Sequence, residues 1–420
     1  MTTASPIISD LGRRRSPGGF DPRRLREEFP IFASNPGLVF LDTAASAQKP
    51  RTVIDGIADY YRNDYANVHR GVYHLSERST DLFEEARQKT RAFLNAADQD
   101  EIVFVRNTTE AINLVAFSWG GSFVRAGDEV VVSDLEHHSN FVPWQMLCER
   151  GGGRLVMAPT DQTGEFDLTH FEALLSPRTR LVAITHISNV TGALLPVARI
   201  VELAHAKGAK VLIDGSQAAP RLPLDVQALG CDFYAFTGHK LYGPTGIGVL
   251  YARREMLSAM PPWQTGGGMI EQVTLARTEF QEPPHRFEAG TPDIAGAIGL
   301  GLAIDFVEAL GRENIREHEA DLTGYAVDRL SRIPGLRLLG AGQRQLGVMS
   351  FNLDGVHPHD VGTILDQHNV AVRVGHHCAQ PLMDKLGLAG TVRASLGVYN
   401  DERDVDALVE ATLAAREMFR

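Results

Sequence analysis

Between residues 102 and 251 the apolar residues come in short, unbroken runs: IVFV (102–105), EVVVS (129–133), RLVMA (154–158), RLVAIT (180–185), KVLID (210–214), FYAF (233–236) and GIGVLY (246–251). Continuous rather than alternating hydrophobicity marks strands that are covered on both faces. Helical patterns or turns separate the runs. The helices are ERSTDLFEEARQKTRAFLNA (77–96), TEAINLVAFSW (109–119) and ARIVELAHAKG (198–208), the last closed by a glycine. Strands alternating with helices predict an α/β unit built on a mainly parallel, seven-stranded sheet, with ligands at the strands' carboxyl ends.

After Gly301 the rhythm changes. Long helical stretches (AIDFVEALG, then NIREHEADLTGYAVDRLSRI) lead to short strands at 336–339, 346–353, 370–374 and 391–396, with helices near 359–368 and 402–418. This pattern predicts a smaller α+β unit at 301–420 beside a large unit at 21–300, whose opening stretch is expected to pack with the smaller one. DPRRLREEFP, from Asp21, reads as an Asp-capped helical turn stopped by Pro30. Residues 1–20 have no apolar stretch fit for a signal peptide or a membrane span, and their small residues, arginines and Pro-Gly-Gly read as a mobile tail.

Composition narrows the function classes. With 420 residues, 44% hydrophobic and 22% charged, the chain can bury a large core and fits neither disorder nor a coiled coil. A net charge of −11, from 41 basic and 52 acidic residues, argues against nucleic acid or an anionic membrane as partner. Three cysteines exclude a disulfide framework and suit a reducing cytoplasm.

The strongest local signal is DFYAFTGHKLYGPTGIGVLYAR (232–253), where Thr237-Gly238-His239-Lys240 directly follows a strand. A lysine at a strand end among glycines is unusual, although a solvated loop lysine is the simpler reading of it alone. Upstream, KVLIDGSQAAP ends a strand on Asp214 and sets Gln217 one turn later. A carboxylate there needs a cation or a donor to offset its desolvation, and a pyridinium nitrogen is such a partner. RNTTEAIN sets Thr108 and Thr109 at a helix start, where hydroxyls and backbone N–H groups can hold a phosphate, and EHHSN offers His137 as a flat ring. Each piece alone reads as a cap, a turn residue or a packed histidine. Together, in order, at the strand ends of one sheet, they make the equipment for pyridoxal phosphate: Schiff-base lysine, ring-nitrogen acid, phosphate cup and stacking imidazole.

These residues sit in stretches that resemble the fold-type-I pyridoxal-phosphate enzymes of aminotransferase class V, most closely the group II (SufS-type) cysteine desulfurases. The stretches are LDTAASAQKP, NVHRGVYHLS, FVRNTTEAINLVA, EHHSNFVPWQ, HISNVTGALLPV, VLIDGSQAAP, FTGHKLYGPTGIGVLY, RFEAGTPDIAG, RVGHHCAQPLM and RASLGVYN, spanning roughly residues 38–400. The resemblance implies a Schiff base on Lys240, ring contacts from Asp214 and Gln217, stacking by His137, and phosphate binding by Thr109, Thr237 and His239. It also implies Asn189 near ring and substrate, a homodimer in which Thr291 completes the partner's site, and His69 at the site entrance, where a purely structural histidine is the other reading.

A lysine and a cofactor leave the reaction open; VAVRVGHHCAQPLM (370–383) discriminates. Cys148 and Cys231 lie in a helical and a strand pattern and read as core packing. Cys378 instead sits in a short polar loop beside His376 and His377, five positions beyond Arg373, the kind of setting in which a cysteine is nucleophilic. Plain packing and a zinc site with His357 and His359 are the competing readings, but no second cysteine stands at metal spacing and no metal is expected. The resemblance makes Cys378 the persulfide-forming cysteine, with L-cysteine as substrate, its carboxylate held by Arg393, and Arg373 near the active cysteine. It further implies L-alanine as product, low intrinsic turnover, and an acceptor protein that takes the sulfur to iron–sulfur cluster or related sulfur biosynthesis. A selenocysteine lyase shares nearly every motif and is the alternative; another class V aminotransferase or epimerase with an incidental cysteine is a further one.

Overall fold

Seven strands form the central sheet of the computed structural model, which describes residues 21–161, 163–340 and 344–419. The mobile tail expected at 1–20 lies outside the described residues. The strands are β1 (Ile102–Val105), β2 (Glu129–Ser133), β3 (Arg154–Ala158), β4 (Thr179–Thr185), β5 (Lys210–Asp214), β6 (Phe233–Thr237) and β7 (Gly248–Ala252), in the spatial order β1-β7-β6-β5-β4-β2-β3. Only β7 is antiparallel, to both its neighbours; all the other pairings are parallel. The reason is local: residues 238–247 between β6 and β7 are too few for a crossover, which needs a dozen or more.

The runs read as continuous conceal a two-fold alternation. Val131, Val182, Ile184, Ile213 and Phe236 pack on one face, while Val130, Val132, Leu181, Leu212 and Phe233 pack on the other. Both faces are therefore core, and no polar residue is needed at alternate positions. The fold is thus the expected α/β arrangement with a mainly parallel large sheet.

A helix at Ile294–Leu310, buried nearly all round, runs unbroken across the boundary expected between residues 300 and 301. Its Leu300, Ile304 and Val307 belong to the core of the large sheet, and the chain turns only at Gly311, where φ is +82°. The next helix, Arg312–Ser331, sends Leu322, Ala326 and Leu330 into a separate apolar cluster. Its Ile315 still packs in the core of the large sheet, so the apolar clusters change along this helix, and a preceding helix apolar on all sides carries no periodicity that marks where its neighbours change.

The smaller sheet contains β8 (Leu336–Leu338), β9 (Val348–Leu353), β10 (Arg373–Gly375) and β11 (Thr391–Ser395), antiparallel in the order β8-β9-β11-β10. The strand expected over 370–374 is split. Val370–Ala371 pairs in parallel with Val39–Phe40, and after Val372 the chain turns to β11. The N-terminal segment touches both apolar clusters: Leu25, Phe29 and Phe32 lie in that of the large sheet, whereas Leu41 is in the other, Arg23 bonds Asp401 at 2.9 Å, and Arg26 bonds Asp404 at 3.2 Å. No single helix among the described residues is long and apolar enough to cross a membrane.

Candidate active site

The carboxyl ends of β1, β2, β4, β5 and β6 open onto one cavity of about 160 Å³, closed on its far side by two arginines of the smaller sheet. After β1 the chain enters the helix Thr108–Val115, capped by the Asn107 side chain, which accepts from the Glu110 N–H at 2.9 Å. The Thr108 hydroxyl accepts from Ser216 Oγ at 2.9 Å, and Thr109 Oγ1 lies 2.6 Å from Ser139 Oγ. The helix thus presents its N-terminal N–H groups and two hydroxyls to the cavity.

His137, after β2, lines the cavity with Nδ1 held by the Ser139 N–H at 3.1 Å. Burial, and then the nearby Lys240, push its pKa down to about 3, so the ring is neutral. Asp214 ends β5, with Oδ1 accepting from the Ser216 N–H at 2.9 Å. Gln217 is fixed at both ends of its amide, donating to the Ala44 carbonyl at 2.9 Å and accepting from Arg221 at 3.1 Å.

Thr237 ends β6, and its buried hydroxyl finds no hydrogen-bond partner among the described residues. His239 and Lys240 follow in one turn of 3₁₀ helix, and both line the cavity. Burial pushes the His239 pKa down to about 4 and that of Lys240 to about 8, the latter against the opposing pull of Asp214. A lysine so perturbed, its amine making no hydrogen bond among the described residues, gives up its proton far more readily than an ordinary lysine and so can serve as a nucleophile.

Arg373 and Arg393 face each other across the β10–β11 pair and both reach the cavity. Arg393 is 1% exposed; it donates to the Asn189 carbonyl at 3.0 Å and pairs with Asp42 at 3.1 Å. Burial lowers its pKa to about 10, with Asp42 acting in the opposite direction.

Cys378 is half-buried beside the cavity rather than in its lining, and Arg373 joins the two: it lines the cavity and lies 3.6 Å from the Cys378 sulfur. The connection from β10 to the helix Gln380–Leu386 is tight. His377 and Cys378 adopt consecutive left-handed conformations, φ +53° and +56°, in which non-glycine residues persist only when held by their surroundings. Asn189 Nδ2 donates to the His377 carbonyl at 2.7 Å. The other two thiols are core groups as expected: Cys148 and Cys231 are buried, and burial raises their pKa values to about 11 and about 12.

The structure thus brings Thr108, Thr109, His137 and Asn189 into the lining, then Asp214, Gln217, Thr237, His239 and Lys240, and finally Arg373 and Arg393. His69 and Thr291 do not join them within one chain. They line a second cavity, of about 440 Å³, where His69 bonds Glu84 at 3.0 Å and packs edge-on against His285. Ser139, Ser216, Ala44 and Asp42 were not anticipated. Asp42 and Ala44 lie in the LDTAASAQKP stretch, where a carboxylate just past a short strand was the available signal.

Pyridoxal phosphate needs an amine for its aldehyde, an acid for its ring nitrogen and donors for its phosphate. The cavity offers Lys240, Asp214, the Thr109 hydroxyl at a helix N-terminus and the Thr237 hydroxyl at the end of β6, with the unpartnered Thr237 Oγ1 and the Lys240 amine still open. The residues fit the group.

Comparison with known proteins agrees. The family model "Aminotransferase class-V" matches residues 39–408. A cysteine desulfurase of Dickeya dadantii is 53% identical over 390 residues, covering 92% of this chain and 94% of that protein. One from Escherichia coli K12 is 51% identical over 394 residues, covering 93% and 97%. Among solved structures, the E. coli cysteine desulfurase CsdA, in its S-sulfonic acid form, superposes with a TM-score of 0.88 at 41% identity over 96% of this chain and all of that one. The apo cysteine desulfurase of Thermococcus onnurineus gives 0.90 at 39% identity, covering 94% and 98%. With the sheet, the lysine cavity and the family model in agreement over most of its length, the chain belongs to the class-V aminotransferase family.

Proposed function

We infer that this chain is a pyridoxal-phosphate-dependent cysteine desulfurase that takes sulfur from L-cysteine onto Cys378 and releases L-alanine. The observation that carries the assignment of roles is Arg373, which lines the Lys240 cavity and touches the Cys378 sulfur at 3.6 Å. Lys240, Asp214, Gln217 and His137 hold the cofactor ring, and Thr108, Thr109, Thr237 and His239 its phosphate end. Pyridoxal phosphate, when bound, supplies the electron sink that acidifies the substrate Cα–H and weakens the Cβ–S bond.

The chain's own residues do the rest. Arg393 binds the substrate carboxylate in a fork geometry that a lysine does not offer, and Asn189 borders the same space. Lys240, with its pKa brought to about 8, takes the proton from Cα. The Cys378 thiolate attacks the substrate sulfur: the S–S bond forms as the Cβ–S bond breaks, and the electron pair left on Cβ takes a proton to give alanine. The tight loop keeps the persulfide near the cavity, so we assign its removal to a docking acceptor protein, as in group II enzymes, within a reducing cytoplasm. His69 and Thr291 sit in a cavity of their own, an arrangement that suits a homodimer in which each chain completes its partner's site.

The test is intact-mass analysis of the holoenzyme after incubation with L-cysteine. One added sulfur is expected on the wild type and none on Cys378→Ala, with alanine release falling in parallel. A persulfide retained by Cys378→Ala would sink the assignment. Alanine release that does not rise when a thiol acceptor is added would remove the acceptor step.

A further inference from the structure

Two hydrogen bonds tie the Cys378 loop to a residue with no role in the reading above. The His138 main-chain N–H donates to the Cys378 carbonyl at 2.6 Å, and His138 Nε2 accepts from the Gln380 N–H at 3.1 Å. His138 therefore grips the residue that carries the thiol and the first residue of the helix that follows. Its ring also packs 5.7 Å from that of His376, whose Nδ1 accepts the Cys378 N–H at 3.2 Å. On its other side it adjoins His137, whose ring lines the Lys240 cavity.

We propose that His138 is a positioning residue for sulfur transfer, holding the left-handed His377-Cys378 pair in register with the Lys240 cavity. The proposal rests on Cys378 being the sulfur acceptor. The clamp needs an Nε2 lone pair, which makes the ring neutral with its proton on Nδ1. Burial and the neighbouring His376 favour that neutral form by lowering the His138 pKa. A left-handed pair of non-glycine residues relaxes unless its carbonyls and amides are held. Asn189 holds the first carbonyl and His138 the second.

The variants that test this are His138→Leu, which keeps bulk without an acceptor, and His138→Gln, whose Oε1 can stand where Nε2 accepts. In the holoenzyme, His138→Leu is expected to lower kcat for alanine release about tenfold, the effect of one lost hydrogen bond in the transition state, with KM for L-cysteine unchanged. His138→Gln is expected to recover most of that loss. Amide hydrogen exchange across residues 376–380 should quicken in His138→Leu, return in His138→Gln, and stay unchanged in the large sheet. A His138→Leu enzyme with wild-type kcat, or a His138→Gln enzyme no better than it in either measurement, overturns the proposal. Failure of the underlying reading is seen separately, as a persulfide that forms on Cys378→Ala.

Discussion

The guanidinium of Arg393 is paired with the carboxylate of Asp42 at 3.1 Å, while its buried Nε has no hydrogen-bond partner among the described residues. The ion pair joins the smaller sheet to the N-terminal segment and leaves one donor of the fork unused. Burial raises the Asp42 pKa even with Arg393 beside it, so desolvation weakens the pair and a substrate carboxylate can compete for the guanidinium. Arg393→Lys is expected to raise KM for L-cysteine by about 10–100-fold, because a lysine cannot reproduce a bidentate grip. Steady-state alanine release against L-cysteine concentration checks it; an unchanged KM would assign the carboxylate elsewhere.

Acid sensitivity follows from the histidines. Burial pushes His137 down to about 3, His186 and His239 to about 4, and His377 to about 2. Unfolding restores ordinary values near 6.5, so between that pH and 4 the unfolded chain binds more protons than the native one. The histidine contribution to stability therefore falls as pH drops below about 6.5, by at most about 1.4 kcal/mol per pH unit for each such histidine, opposed in part by the buried carboxyls of Glu136 and Glu319, whose pKa values are raised. Urea midpoints of the cofactor-free protein from pH 7.5 to 4.5 should show this slope, and His186→Phe should flatten it. A midpoint independent of pH in that window would contradict the neutral histidines.

A buried ion pair spans the two units. Arg221 Nε lies 2.8 Å from Glu319 Oε2, each side chain 1% exposed, and burial lifts the Glu319 pKa to about 7. Removing one partner leaves an uncompensated buried charge: Glu319→Leu should cost about 3–5 kcal/mol, and Arg221→Met with Glu319→Leu together clearly less. Because Arg221 also donates to the Gln217 amide at 3.1 Å, the single variant should in addition weaken retention of pyridoxal phosphate, read by its visible absorbance on dilution. Equal loss of stability in single and double variants would rule out a charge effect.

The large sheet and most of the lining were legible because both rest on local rules. Unbroken apolar runs give buried parallel strands, and Asp214, Thr237 and Lys240 follow directly from where those runs end. What stayed hidden depends on distant pairing. Asp42 becomes a site residue only because β11 lies beside the N-terminal segment, and the split of 370–374 reflects two different partners for one extended stretch. His69, left-handed in its backbone and bonded to Glu84, lines a second cavity with Thr291, a pairing of distant segments that no local pattern announces. His138 went unread because both of its bonds to the Cys378 loop, the main-chain one to Cys378 and the Nε2 one to the Gln380 N–H, join segments about 240 positions apart in the chain.

The parallel pairing of Val39–Phe40 with Val370–Ala371 also has a bearing on how the chain is made. A ribosome releases residues 39–41 long before their partners at 370–396, and Leu41 belongs to a cluster that includes Leu396 and Leu408. During synthesis the large sheet can close while this early segment waits for its partners. The unit that bears the Cys378 loop can therefore close only once residues 370–408 have emerged to meet residues 39–41, which places the appearance of a competent thiol late in synthesis.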